Sequence, residues 1–260
     1  MNFQDKLDKA VSKNSSLLCV GLDPDPSKLK KGQSQFEFNK NIIDQTADLV
    51  CAFKPQVAFY AAAGLKGLGD LIKTIDYIHK HNSQIPVLLD AKRADVGHTS
   101  EMYAQEVFDV FSADAATVHP YYGLDSLEPF FKRSDRGIFV ICRTSNSSAG
   151  DFQDLMIGNE SLYVKVAKQI RSWSEKYPNV FLEIGATWPD EIGVLRKLTK
   201  NMLFLIAGIG AQGGNLQNTL KNGLRKDGRG LIISASRSII YAQDSKLAAQ
   251  KLKDEINKYR

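Results

Sequence analysis

The densest run of reactive side chains in this 260-residue sequence is Asp90-Ala91-Lys92-Arg93-Ala94-Asp95. Asp90 and Lys92 are two residues apart, so on a strand they point to one face, and Asp95 follows in the loop beyond. Two further segments end in charge after an apolar run, Gly21-Leu22-Asp23 and Phe53-Lys54-Pro55. Brought together, Asp23, Lys54, Asp90, Lys92 and Asp95 make an alternating network of charge that is expensive to desolvate. Such an expense marks a functional site more readily than a structural one.

A second constellation lies late in the chain. Gly208-Ile209-Gly210-Ala211-Gln212-Gly213-Gly214 matches the G-x-G-x-x-G dinucleotide pattern at Gly208, Gly210 and Gly213. That pattern belongs after the first strand of its fold, whereas here it follows the seventh strand candidate, where α/β barrels bind phosphate. Ser234-Ala235-Ser236-Arg237-Ser238 supplies the other half. Arg237 can grip a phosphate bidentately, and the segment 239–242 is expected to aim its amides at the anion. A third segment, Thr144-Ser145-Asn146 with Phe152 and Gln153, suits hydrogen bonding to a planar polar ring.

The elements that must position these groups are legible as eight short apolar runs: 17–22, 50–54, 85–91, 115–119, 137–143, 180–184, 202–207 and 230–234. Between them run helical faces such as Leu68, Leu71, Ile72 and Ile75, then Tyr103, Val107, Val110 and Phe111, then Leu162, Val166, Ile170 and Trp173, and finally Leu247, Leu252 and Ile256. Strict alternation, with no linker or composition shift, predicts an α/β fold: a single (β/α)8 TIM barrel over residues 1–260, with an additional N-terminal helix at 3–11. The active site of such a barrel forms at the C-terminal ends of its strands, where the charged segments fall.

Apolar residues make up 43% of the chain and charged residues 24%, enough for a large core and too little charge bias for disorder. The net charge of +5 is dispersed. Its densest stretch, Lys28, Lys30 and Lys31, lacks interleaved aromatics and reads as a solvated face, so no nucleic acid partner is expected. No apolar run reaches the roughly 18 residues of a membrane span, and the N-terminus is charged, so a cytoplasmic protein is expected. Cys19, Cys51 and Cys142 are too scattered for a disulfide framework or a zinc site. His79, His81, His98 and His119 show no metal spacing, and His79 and His81 read as solvated at a helix end, so no metal is expected.

Asp90-x-Lys92-x-x-Asp95-Val96-x-x-Thr99 resembles the D-x-K-x-x-D-[IV]-x-x-T signature of the orotidine 5'-phosphate decarboxylase family, and the flanking pieces occur in the family's order over nearly the whole chain. Thr144-Ser145-Asn146 and Ala235-Ser236-Arg237 are most similar to its longer bacterial-type branch. His119 stands where that branch has asparagine, and Ser236 where other branches carry glycine. The resemblance implies a cofactor-free carboxy-lyase acting on orotidine 5'-phosphate in pyrimidine synthesis, working as a homodimer with shared active sites. By the same resemblance Lys92 donates the proton, Asp90 and Asp95 hold the lysine and face the substrate carboxylate, and Asp23 and Lys54 bind the ribose. Asp95, Val96 and Thr99 reach into the partner's site. Ser145 reads the pyrimidine, while Gln212 and Arg237, with Gly208, Gly210 and Ser236 around them, hold the phosphate.

Two rivals remain. A magnesium-dependent sugar-phosphate decarboxylase or hexulose-phosphate synthase of the same superfamily shares the D-x-K-x-x-D strand end, but the Thr144-Ser145-Asn146 loop and the Asp23/Lys54 pair argue against it. A non-catalytic phosphate-ligand sensor would keep Arg237 and the glycine loop but has no use for Lys92 between two aspartates.

Overall fold

The computed structural model describes residues 1–209 and 213–260. Eight parallel strands, β1 (Leu18–Leu22), β2 (Ala52–Pro55), β3 (Leu88–Arg93), β4 (Ala115–Val118), β5 (Gly137–Arg143), β6 (Val180–Gly185), β7 (Phe204–Ala207) and β8 (Leu231–Ala235), pair in the order β2-β1-β8-β7-β6-β5-β4-β3. The bridges Phe53↔Val87 and Gln56↔Asp90 join β2 to β3 and close the ring. Each strand falls on a predicted run. The third is the most displaced: Pro86, which has no amide to give, still accepts from Phe53 N at 3.1 Å, but regular pairing starts only at Leu88.

The strands are buried along nearly their whole length because helices cover the outside and side chains fill the inside. The first helix, α1 (Phe3–Asn14), is capped by Asn2, whose Oδ1 accepts from Asp5 N at 2.9 Å, and lies across the end opposite the charged segments. Its Phe3 meets the ring of Phe139 edge-on at 5.7 Å. Gly137 makes room for it, since a Cβ there would sit 2.4 Å from the Phe3 ring. Lys6 Nζ contacts both oxygens of Asp114 at 2.8 Å, and His79 Nε2 lies 2.9 Å from the same carboxylate. His79 is thus tied into the barrel floor rather than solvated; the exposed His81 stacks on Tyr77 at 4.3 Å.

The predicted helical faces pack as expected with two exceptions. Val110 is 57% exposed, because the helix from Gly97 opens into one π-turn over Glu106–Val110 and the extra residue rotates Val110 out, while Val107 and Phe111 stay buried. Leu247 is exposed in the first turn of the last helix, Ser245–Asn257, which packs through Ala249 and Ile256. The connection after β5 carries structure that periodicity did not reveal, a two-stranded hairpin of Met156–Ile157 with Glu160–Ser161. All three cysteines are free and buried, and among the described residues no helix is long and apolar enough to cross a membrane.

Candidate active site

The C-terminal ends of the strands surround a cavity of about 610 Å³, the size of a small-molecule site. Its floor carries Asp23, Lys54, Asp90 and Lys92 of the predicted charge network. Lys54, in β2, reaches Asp90 Oδ2 at 2.9 Å, and Lys92 Nζ pairs with Oδ1 of the same carboxylate. Thr117 in β4 donates its hydroxyl to Asp90 Oδ1 at 2.9 Å and accepts from Lys92 N at 3.0 Å.

The two β3 residues meet through more than simple alternation. Leu89 lies opposite Ala116 and Arg93 opposite Val118, so four steps along β3 match two along β4, and Lys92 adopts φ 48° inside this bulge. A left-handed lysine costs of order 1 kcal/mol, and strain of this kind is characteristic of functional positions.

Electrostatics follow from the burial. Desolvation works against the charge on Asp90, but Lys54 and then Lys92 outweigh it and hold the carboxyl well below the usual range. Burial equally opposes a charged Lys54, yet Asp90 and Asp23 reverse the balance and push its pKa up. Asp23, just past β1, is pushed above the ordinary carboxylate range by its burial, with Lys54 pulling the other way.

One wall is built by β1 and β8. Gly21 and Ser236 touch so closely that a Cβ on Gly21 would lie 2.6 Å from Ser236 Cβ. Ser236, Arg237 and Ser238 line the cavity beside Gly208 and Ile209. The short helix here spans Arg237–Ile240, earlier than expected, and the amides of Ile239, Ile240, Tyr241 and Ala242 are all spent on carbonyls of Ser236, Arg237 and Ile239. The anticipated donation from 239–242 is therefore incorrect, and Arg237 is left as the cationic element of this wall, joined at the rim by Lys28. Lys28 is not merely part of a solvated face: it lines the cavity with its Nζ 5.0 Å above the Tyr241 ring. Gly210 and Gln212 lie outside the described residues.

The opposite wall holds Thr144, Ser145 and Asn146. Gln153 clamps Thr144 by accepting from its amide at 2.9 Å and donating to its hydroxyl at 2.8 Å, and Trp188 Nε1 donates to Thr144 O. Beneath, Arg143 is 1% exposed, stacked at 4.3 Å on Trp188 and paired with Asp154 at 3.0 Å. Gly185 lets this loop cross the end of β6, since a Cβ there would meet Ser145 Cα at 2.6 Å.

The structure adds a carboxylate that the sequence reading passed over. Glu183, in β6, is 8% exposed, lines the cavity and has Oε1 3.6 Å from Lys92 Nζ. A lone carboxylate in the apolar run Val180-Phe181-Leu182-Glu183-Ile184 was the available signal. Conversely, Asp95, Val96 and Thr99 are not among the residues lining the cavity of their own chain. Asp95 turns its carboxylate back to Val96 N at 2.7 Å, Val96 is 59% exposed, and Thr99 is exposed in the first turn of its helix.

Comparison with known proteins agrees with this geometry. Residues 16–252 match the orotidine 5'-phosphate decarboxylase / HUMPS family. The chain belongs to this family. It is 45% identical to the orotidine 5'-phosphate decarboxylase of Cellvibrio japonicus, with 99% of this chain and 98% of that one covered. Identity is also 45% to the Dechloromonas aromatica enzyme, with both chains fully covered. Among solved structures, Leishmania donovani OMP decarboxylase superposes with a TM-score of 0.91 at 38% identity over 100% of this chain and 99% of that one.

Proposed function

We infer that this family member decarboxylates orotidine 5'-phosphate to uridine 5'-phosphate in de novo pyrimidine synthesis, without a cofactor. The observation that carries the inference is the run of paired charges on the cavity floor, the buried Lys54 and Asp90 with the half-buried Lys92, and Arg237 on the wall. Loss of carbon dioxide leaves an electron pair at C6 in the plane of the pyrimidine, where no π system can spread it. A cation must therefore stand beside that carbon and a proton must be delivered to it. Lys92 does both: the C6–carboxylate bond breaks, the pair stays on C6, an Nζ proton moves to it, and the lysine regains its proton from solvent.

Asp90 holds that ammonium and also repels the incoming carboxylate. A pair of unit charges about 4 Å apart is worth ~4 kcal/mol at an effective dielectric near 20, so distant contacts must supply binding energy to offset the repulsion. In this reading Arg237, Ser236 and the loop Gly208 to Gln212 take the phosphate, Asp23 and Lys54 take the ribose, and Ser145 reads the ring. The active form is a homodimer in which Asp95, Val96 and Thr99 complete the partner's site. An exposed valine beside a carboxylate that does not face its own cavity supports that arrangement. Three free, buried cysteines suit the reducing cytoplasm.

The test is an absorbance assay of the purified protein with orotidine 5'-phosphate. Turnover unaffected by a metal chelator is expected. No turnover of the nucleotide, combined with magnesium-dependent turnover of a 3-keto sugar-phosphate acid, would establish the sugar-phosphate rival instead.

A further inference from the structure

Glu183 has no part in the scheme above, yet its position is hard to reconcile with a passive role. It lines the substrate cavity, its Oε1 stands 3.6 Å from Lys92 Nζ, and its Oε2 is buried with no hydrogen-bond partner among the described residues. A buried ionised carboxylate with half its acceptors unused is costly, and the cost falls if the group can become neutral.

The charges acting on it come from across the barrel mouth. β3 contributes Asp90 and Lys92, and β2 contributes Lys54. His119, after β4, is held below its ordinary value by burial and then by Lys92. At the end of β5, Arg143 is neutralised by Asp154. The other adjacent strand, β7 (Phe-Leu-Ile-Ala), brings no charge. Within its own chain, then, Lys92 has two carboxylates within reach, Asp90 and Glu183, and in the homodimer inferred above the partner's Asp95 joins them. The substrate brings one more anion to the same ammonium.

We propose that Glu183 is a positioning residue acting through Lys92: its carboxyl shares the ammonium with Asp90 in the empty site, and it takes up one proton from solvent when the substrate's carboxylate arrives. The proton returns to solvent when product leaves. The neutral acid still offers Oε1 to the ammonium, so Lys92 stays aimed at C6 while the number of negative charges around it does not increase. Burial first, and then Asp90, push Glu183 up to about 7, so its two forms are nearly balanced at neutral pH and the uptake is inexpensive.

This inference rests on the decarboxylase reading, and its experiment separates the two. The protonated form of Glu183 is the one that accepts substrate, so kcat/KM should fall as pH rises through about 7, while kcat, which reports the loaded enzyme, should not. Glu183→Gln keeps an oxygen for Lys92 but cannot ionise. Its kcat/KM should stay level from pH 7 to 9 and exceed the wild-type value roughly tenfold at pH 8. The substrate phosphate, with a pKa near ~6, shapes only the acid side and does so equally in both proteins. An alkaline fall shared by wild type and Glu183→Gln overturns the proposal, as does a folded Glu183→Gln that is inactive.

Should the variant melt far below the wild type, the wild type alone decides. Calorimetry at pH 7.5 in two buffers of different ionisation enthalpy should show more proton uptake with 6-hydroxyuridine 5'-phosphate, which carries an anionic oxygen at C6, than with uridine 5'-phosphate. Equal uptake overturns the proposal. A wild type that does not decarboxylate the nucleotide at all removes the parent reading instead.

Discussion

The two ends of the barrel are each built around one aspartate with two basic partners, and they use it in opposite ways. At the floor, Asp114 receives Lys6 on both oxygens, His79 and the amide of Val87, all within 2.9 Å, so its acceptors are fully employed. At the mouth, Asp90 receives Lys54, Lys92 and Thr117, but the groups around it are left incomplete: Asp23 Oδ1 and Glu183 Oε2 are buried without partners among the described residues. A closed set of charges fastens helices to strands. An open set of the same kinds of residue is prepared for a ligand.

The largest effect is expected at the mouth, from Lys92→Ala. We expect kcat to fall by more than about 10³-fold with the fold intact, because proton donor and cation are lost together. Retention of a few per cent of wild-type turnover in a steady-state assay would falsify the role given to Lys92. Asp114→Ala should do the reverse, costing about 3 kcal/mol in chemical denaturation by leaving Lys6 buried and unpaired, with kcat unchanged at temperatures where the protein stays folded. The Asp114 carboxyl is held below its ordinary value, because the His79 hydrogen bond and Lys6 outweigh its burial. Its contribution is therefore present above the normal carboxylate range and is lost as pH falls through and below about 4. A stability profile between pH 3 and 6 that is identical in wild type and Asp114→Ala would remove Asp114 as the cause.

Much of the mouth was legible from sequence because its residues end contiguous apolar runs: Asp23, Lys54 and Asp90 with Lys92 each announce a strand end and a charge at once. Glu183 was not, since it sits inside a strand rather than after it, and a single polar letter in a buried run carries no spacing to read. The bulge that sets Lys92 at φ 48° was equally silent, because it depends on pairing with β4 that no local pattern encodes. The floor was harder still. Lys6 and Asp114 lie 108 residues apart, and nothing near either one in sequence points to the other.

Arg237→Ala should produce a moderate loss that distinguishes the wall from the floor of the cavity, about 10- to 100-fold in kcat/KM, mostly through weaker capture of the phosphate. Unchanged affinity for uridine 5'-phosphate in a binding titration would place the phosphate elsewhere. The mildest effect concerns the residues that the mouth does not use for itself. In the proposed shared-site homodimer, Lys92→Ala and Asp95→Ala proteins, each inactive alone, should regain roughly a quarter of wild-type activity when their subunits are exchanged at equal input, since about half the dimers would then be mixed and each would have one intact site. If mass spectrometry confirms exchange and the mixture remains inactive, Asp95 serves its own chain.

The pairing of β1 with β8 has a further effect on how the molecule comes into being. Leu18 lies beside Ile233, and the plug at the floor joins Phe3 and Lys6 to Gly137 and Asp114. During synthesis the first helix and first strand emerge early, yet the floor cannot be sealed until about half the chain exists, and the open edge of β1 is not covered until the last strand has been made. Long-range closure of this kind is slow relative to local helix formation, so the nascent chain carries an exposed strand edge for most of its elongation.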